Sequence, residues 1–237
     1  MKTHLIIAPA ILVCILFTGL VEAGPRPGSS QGRDYLINTA DLGYWCFGVY
    51  TLFRERDVEV GGYQIGCESS KLMGYVGFHA MPWATLYGSF GNTSRDYATG
   101  ADESAAEYGA GIHVNIFDHM FADPYLIEDR IRLDGYVQYH LSKTDVVSSG
   151  ETLEDRSASI LLSVVSKPRA NVNYWPHAVS LYVGAVYSDL ESDSLNESDA
   201  IGLTAGVEFF VTEGISLEAG VVMFEEMGYH AGIHVDL

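Results

Sequence analysis

From Ile201 to Leu237 apolar and small or polar residues alternate with a period of two. One series runs Ile201, Leu203, Ala205, Val207, Phe209, Val211, then Ile215, Leu217, Ala219, Val221, Met223, then Tyr229, Ala231, Ile233, Val235, Leu237. Between them stand Gly202, Thr204, Gly206, Glu208, Phe210, then Ser216, Glu218, Gly220, then Gly228, His230, Gly232, His234, Asp236. Period two is the signature of strands whose successive side chains point to opposite faces. The breaks at 212–214 and 225–227 are short enough to join neighbouring antiparallel strands.

The same pattern begins at Tyr44. Trp45, Phe47, Val49, Thr51 and Phe53 share one face, and Cys46, Gly48, Tyr50, Leu52 and Arg54 the other. Gly61-Gly62 then supplies a two-residue turn, and pairing Val60 with Tyr63 sets Phe53 opposite Ser70. Further alternating stretches cover 71–80, 84–90, 106–116, 131–141, 158–164 and 179–187. The fold class expected is all-β, a transmembrane antiparallel up-and-down β-barrel of about ten strands, with eight as the alternative.

A soluble sandwich also alternates, so the quality of the two faces decides. Among the apolar-face residues only Thr51 is polar and none is charged, as lipid requires, since a charge at mid-bilayer costs about 2–4 kcal/mol. Phe53, Phe90, Tyr108, Tyr139, Tyr187 and Tyr229 fall at one end of this face, and Trp45, Phe47, Phe78 and Phe209 near the other. Two aromatic girdles are therefore expected. The opposite face mixes glycine with Glu107, Arg130, Arg132, Asp134, Glu208 and Glu218, as suits a narrow interior. In lipid the sheet must also close, because an open edge leaves backbone groups unsatisfied.

Residues 1–23 read as a secretory signal peptide, 24–43 as a flexible Gly/Pro/Ser-rich linker, and 44–237 as the barrel. An even strand count sorts the connections into two sets. One set, 55–70, 92–104, 143–156, 188–199 and 225–227, holds eighteen Asp or Glu against four Lys or Arg. These read as outward loops. The net charge of -18 argues against nucleic acid as a partner. Cys14 lies in the signal segment, and the register above separates Cys46 from Cys67 by about 30 Å along the strands, too far for a disulfide.

With its glycine-and-tyrosine strand Trp83-Ala-Thr-Leu-Tyr-Gly-Ser-Phe-Gly91 and the spacing of Tyr229, Ile233 and Val235 in the last strand, the chain resembles the small bacterial outer-membrane β-barrel superfamily. That group includes the OmpA membrane domain, OmpX, OmpW and the opacity proteins. It departs from the usual aromatic terminus by ending in Leu237. The resemblance implies a monomer in the bacterial outer membrane, with membrane lipid and the barrel-assembly machinery as partners. Its implied role is that of a structural or surface-exposed barrel or a narrow porin-like channel.

For chemistry, parity puts five histidines on the interior face: His79, His113, His140, His230 and His234. Pairing Val211 with Ile215 and Phe224 with Gly228 makes one cross-strand row of Glu208, Glu218 and His234, with no nucleophile on it. The candidate interior network is Glu208, Glu218, His234, Arg130, Arg132, Asp134 and His113, more suited to packing and mutual satisfaction than to turnover. No enzyme activity, cofactor or metal is expected. The alternative is an outer-membrane hydrolase directed at lipid or peptide through an interior or rim histidine and carboxylate. The acidic stretch 188–199 lacks the ordered spacing of a calcium loop and reads as a solvated, self-repelling loop.

Overall fold

The computed structural model describes residues 45–122, 127–144, 150–168, 176–193, 195–197, 201–212 and 214–236. The signal segment, the linker and Leu237 lie outside the described residues. Eleven strands follow in order: β1 (Trp45–Val60), β2 (Tyr63–Met81), β3 (Ala84–Tyr97), β4 (Asp102–Ala122), β5 (Ile127–Thr144), β6 (Glu151–Pro168), β7 (Ala178–Glu191), β8 (Leu195–Glu197), β9 (Ile201–Thr212), β10 (Ile215–Met223) and β11 (Met227–Asp236). Each long strand pairs antiparallel with the next, and β1 pairs with β11 from Cys46↔Asp236 to Phe53↔Tyr229. The sheet is thus a closed barrel of ten long strands, as the alternation predicts.

The first hairpin has the expected register. Val60 pairs with Tyr63 and Phe53 with Ser70, and Gly61 and Gly62 have φ of 61° and 87°. Two consecutive positive φ values make the turn whose twist matches the flanking strands, and only glycine adopts both without strain.

Outside, Trp45, Val49, Leu72, Leu86, Phe90, Tyr108, Val137, Leu181, Val183 and Leu203 are exposed. A band of exposed aliphatic side chains this continuous is far larger than a water-soluble monomer tolerates. The girdles are level because their members pair directly: Phe53 with Tyr229 and Phe90 with Tyr108 at one end, Trp45 with Phe78 at the other.

Beyond the first girdle the structure departs from the loops expected at 55–70 and 92–104. β1, β2, β3 and β4 continue there as paired strands. Apolar alternation stops where lipid stops, but backbone pairing has no reason to stop with it. From Phe53 to Val60 the extension runs seven residues, about 23 Å along the strand. β9, β10 and β11 end near the girdle, and the short β8 takes their place, pairing with β1 at Val58↔Glu197 and with β7 at Glu191↔Asn196. The extension has its own small core of Val58, Cys67, Tyr97, Leu153, Leu190 and Leu195.

One register differs from expectation: Met223 pairs with Met227 around a 224–226 turn, two residues from the pairing of Phe224 with Gly228. Between β9 and β10 the expected register holds from Ser216↔Phe210 onward, and a bulge at its end pairs Ile215 with Thr212 in place of Val211. A third irregularity lies in β4 between Asn115 and Phe117. It leaves Ile116 and Phe117 both exposed and turns Asp118 inward, as an extra residue in one strand must.

Candidate functional site

The interior is filled by side chains from non-adjacent strands. At the height of the outer girdle, Lys71 Nζ donates to Glu107 Oε1 at 2.7 Å and to Asp155 Oδ2 at 2.7 Å. His140 Nδ1 lies 3.0 Å from the same Glu107 oxygen. Arg95 donates to Glu103 and Ser142, each at 2.7 Å, and its second terminal nitrogen is 3.5 Å from Glu107 Oε2. Lys71, Arg95 and Glu107 are 3%, 2% and 1% exposed, so water does not reach them through an open lumen. A charged cluster is stable here only because each carboxylate meets a cation and further donors. This cluster brings together strands β2, β3, β4, β5 and β6. Of its members, parity alone identifies Lys71, Glu107 and His140 as interior; Arg95, Glu103 and Asp155 fall in segments expected to be loops.

Toward the other end, Asp134 Oδ1 accepts from His113 Nε2 at 3.0 Å, Asn115 Nδ2 at 3.0 Å and Arg132 Nη2 at 3.1 Å. Arg130 donates to Asp118 at 3.2 Å and Arg132 Nε is 3.9 Å from it. His113 is held flat by stacking on Tyr136, centroids 4.5 Å apart. Four of the seven candidate residues, Arg130, Arg132, Asp134 and His113, therefore meet in one network. Asp118 lies in a segment, 117–129, expected to be a connection; β4 continues into it, and the bulge turns Asp118 inward.

Glu208, Glu218 and His234 form a second group. Glu208 and Glu218 are Cα partners as expected, but His234 is the partner of Ser216 and not of Glu218, two residues from the expected register. The side chain recovers the contact: His234 Nε2 lies 3.0 Å from Glu218 Oε2, and Nδ1 lies 2.7 Å from the Tyr75 hydroxyl. His230 Nε2 is 3.6 Å from the other Glu218 oxygen. Ser216 donates to Glu208 at 2.6 Å. Ser216, the Cα partner of Phe210 and His234, thus brings a hydroxyl into the group from the neighbouring row. That hydroxyl faces a carboxylate, while the imidazole is engaged by Glu218 and Tyr75, and all are buried.

Interior glycines lie beneath rings. A Cβ on Gly109 would stand 1.8 Å from His140 Cδ2, and one on Gly220 2.2 Å from His230 Nε2 and 2.5 Å from the Tyr182 hydroxyl. The small residues seat large neighbours and do not leave a channel open, the small-against-large alternation of tightly filled barrels. A cavity of about 30 Å³, lined by Arg54, Tyr136, Gln138, Leu161 and Ser188 among others, lies in this interior. It is water-sized, far below the 300–1,000 Å³ typical of ligand pockets. Arg54 donates to Ser188 at 2.7 Å and lies 4.0 Å from the centre of the Phe224 ring. It thereby spans the place where β1 parts from β11.

No protein-family model matches the chain, and no curated protein matches it. Among solved structures, an outer membrane channel from Pseudomonas putida F1 aligns at TM-score 0.39 and 9% identity, covering 91% of this chain and 98% of that one. The β domain of the Bordetella autotransporter BrkA aligns at TM-score 0.34 and 13% identity, covering 81% and 98%. Ail, the attachment invasion locus protein of Yersinia pestis, aligns at TM-score 0.22 and 9% identity, covering 82% and 96%.

Proposed function

We propose that this chain is a bacterial outer-membrane β-barrel with a packed, non-conducting interior, which carries an acidic, strand-built extension on the cell surface as a structural or surface-presenting protein. The observation that supports it most is the coincidence, at one height, of an exposed aromatic girdle outside and the buried Lys71–Glu107–Asp155–His140 cluster inside. The first suits lipid; the second fills the bore. Above it, Arg156 gathers Glu154, Asp189 and Glu191 at the solvent face, in keeping with the acidic character of that end. The narrow-channel reading has less support, because charged side chains would have to leave their partners before ions could pass. A hydrolase reading has less still, because Ser216 and His234 are buried and engaged elsewhere.

Surface presentation is tested with Tyr63→Cys at the tip of the first hairpin, where Tyr63 is 77% exposed. Both native cysteines of the barrel are buried and free, so the background is low. A membrane-impermeant maleimide should label the variant on intact cells and leave the parent chain unlabelled. Labelling only after the cells are permeabilised would reject the proposal.

A further inference from the structure

At the inner end of the barrel, where β1 closes against β11, three side chains from three strands converge, with no lysine or arginine ion-paired to them among the described residues. Cys46 on β1 is the Cα partner of Asp236 on β11 and of Gly77 on β2, and His79 follows two residues later on β2. Cys46 Sγ, a ring nitrogen of His79 and a carboxylate oxygen of Asp236 lie within 4.8 Å of one another. His79 Nε2 and Asp236 Oδ1 are 3.7 Å apart. Both atoms are buried, and neither has a hydrogen-bond partner among the described residues. An unsatisfied pair of this kind is costly in a closed interior.

The surroundings prepare these groups for a ligand. Thr85 Oγ1 lies 2.9 Å from His79 Nδ1, so when Nδ1 carries the proton, Nε2 turns its lone pair toward Cys46 and Asp236. A carboxylate, carbonyl or hydroxyl on the far imidazole nitrogen is the usual second contact of a metal-bound histidine. Gly77 leaves the space that Cys46 Sγ occupies, since a Cβ there would stand 2.5 Å from the sulfur.

We propose that Cys46, His79 and Asp236 bind one divalent ion of the zinc class. Thiolate, imidazole and carboxylate are the donor types such an ion prefers. With ligand bonds of about 2.0–2.3 Å, a tetrahedral ion holds its donors roughly 3.3–3.6 Å apart. The His79–Asp236 separation is already close to that, and the thiol, within 4.8 Å of both, needs a shift of at most about 1 Å. Charge balance favours the same ion. Binding releases the thiol proton to water, and the two anionic ligands then neutralise the 2+ charge, leaving no net charge in the low-dielectric wall. Three protein ligands leave a fourth position for water at the mouth. The other triad of metal-donor type among the described residues, Glu107, His140 and Asp155, differs in this respect: the Lys71 ammonium already serves as its cation at 2.7 Å.

The test is a Co²⁺ titration of the full chain refolded in detergent, followed by competition with Zn²⁺. One equivalent should produce a thiolate-to-cobalt charge-transfer band in the near ultraviolet, and Zn²⁺ should abolish it. Cys46→Ala should remove the band and Cys67→Ala should leave it. His79→Gln and Asp236→Asn should each weaken Co²⁺ binding at least about tenfold, and Thr85→Val about 10–100-fold. Absence of the band in the folded parent chain, or its survival in folded Cys46→Ala, overturns the proposal. If Cys46→Ala does not fold, the isosteric Asp236→Asn and the neutral amide of His79→Gln carry the test, and unchanged affinity in both overturns it.

Discussion

His234 and Glu218 show how single residues hold the interior together. The imidazole is placed between the Tyr75 hydroxyl and the Glu218 carboxylate. His234→Ala removes a partner from a buried acid, a change that costs about 3–5 kcal/mol when the remaining charge is uncompensated. The melting temperature in detergent micelles should therefore fall, and adding Glu218→Gln should restore part of the loss. Equal melting of the single and double variants would show that the two groups are uncoupled. Glycine sockets give a second test at this scale. Gly109→Ala would set a methyl against His140 and, at 2.7 Å, against Ser89 Oγ. Overpacking of this kind costs about 1–3 kcal/mol, so the variant should melt lower than Gly88→Ala, whose Cβ would meet nothing nearer than 3.9 Å.

Among the elements, β8 is the one whose role is least obvious from its length. It is three residues long, yet it seals the extension where β9, β10 and β11 stop, and Leu195 reaches the core that holds Cys67. Burial pushes the Cys67 thiol up, against the pull of Arg56 and Arg95, so the native thiol is both covered and protonated. Leu195→Asp should open this core and make Cys67 react with maleimide, while Cys46 stays protected in the inner wall. Equal protection of Cys67 in parent and variant would show that β8 does not seal the extension.

Face and strand count were legible in the sequence because lipid imposes a strict rule on every second residue. The first hairpin's register was legible too, because Gly61-Gly62 admits one pairing. The bulge at Asn115 carries no such mark, which is why Asp118 was missed, and the 224–226 turn has no glycine pair to fix which residues close it, which is why the His234 register slipped by two. Contacts across the bore were illegible for a different reason. Parity states that Lys71 and Glu107 point inward, but their meeting with Asp155 depends on barrel closure and strand tilt, which no local pattern records. The same applies to Cys46, His79 and Asp236, which only the β1–β11 seam brings together.

As a whole molecule, the chain is a barrel whose exterior suits lipid and whose interior is filled with paired charges and ring-bearing side chains. The exterior predicts that the folded chain stays with the membrane fraction and migrates differently on gels before and after boiling, because the closed barrel resists unfolding by detergent alone. Recovery of folded, soluble protein without detergent would contradict it. The interior is tested most directly by reconstituting the refolded chain into a planar lipid bilayer and recording current across it, with unboiled gel mobility confirming that the inserted protein is folded. A packed bore predicts a flat baseline for the parent chain. Steady, reproducible single-channel openings from that folded protein would contradict it.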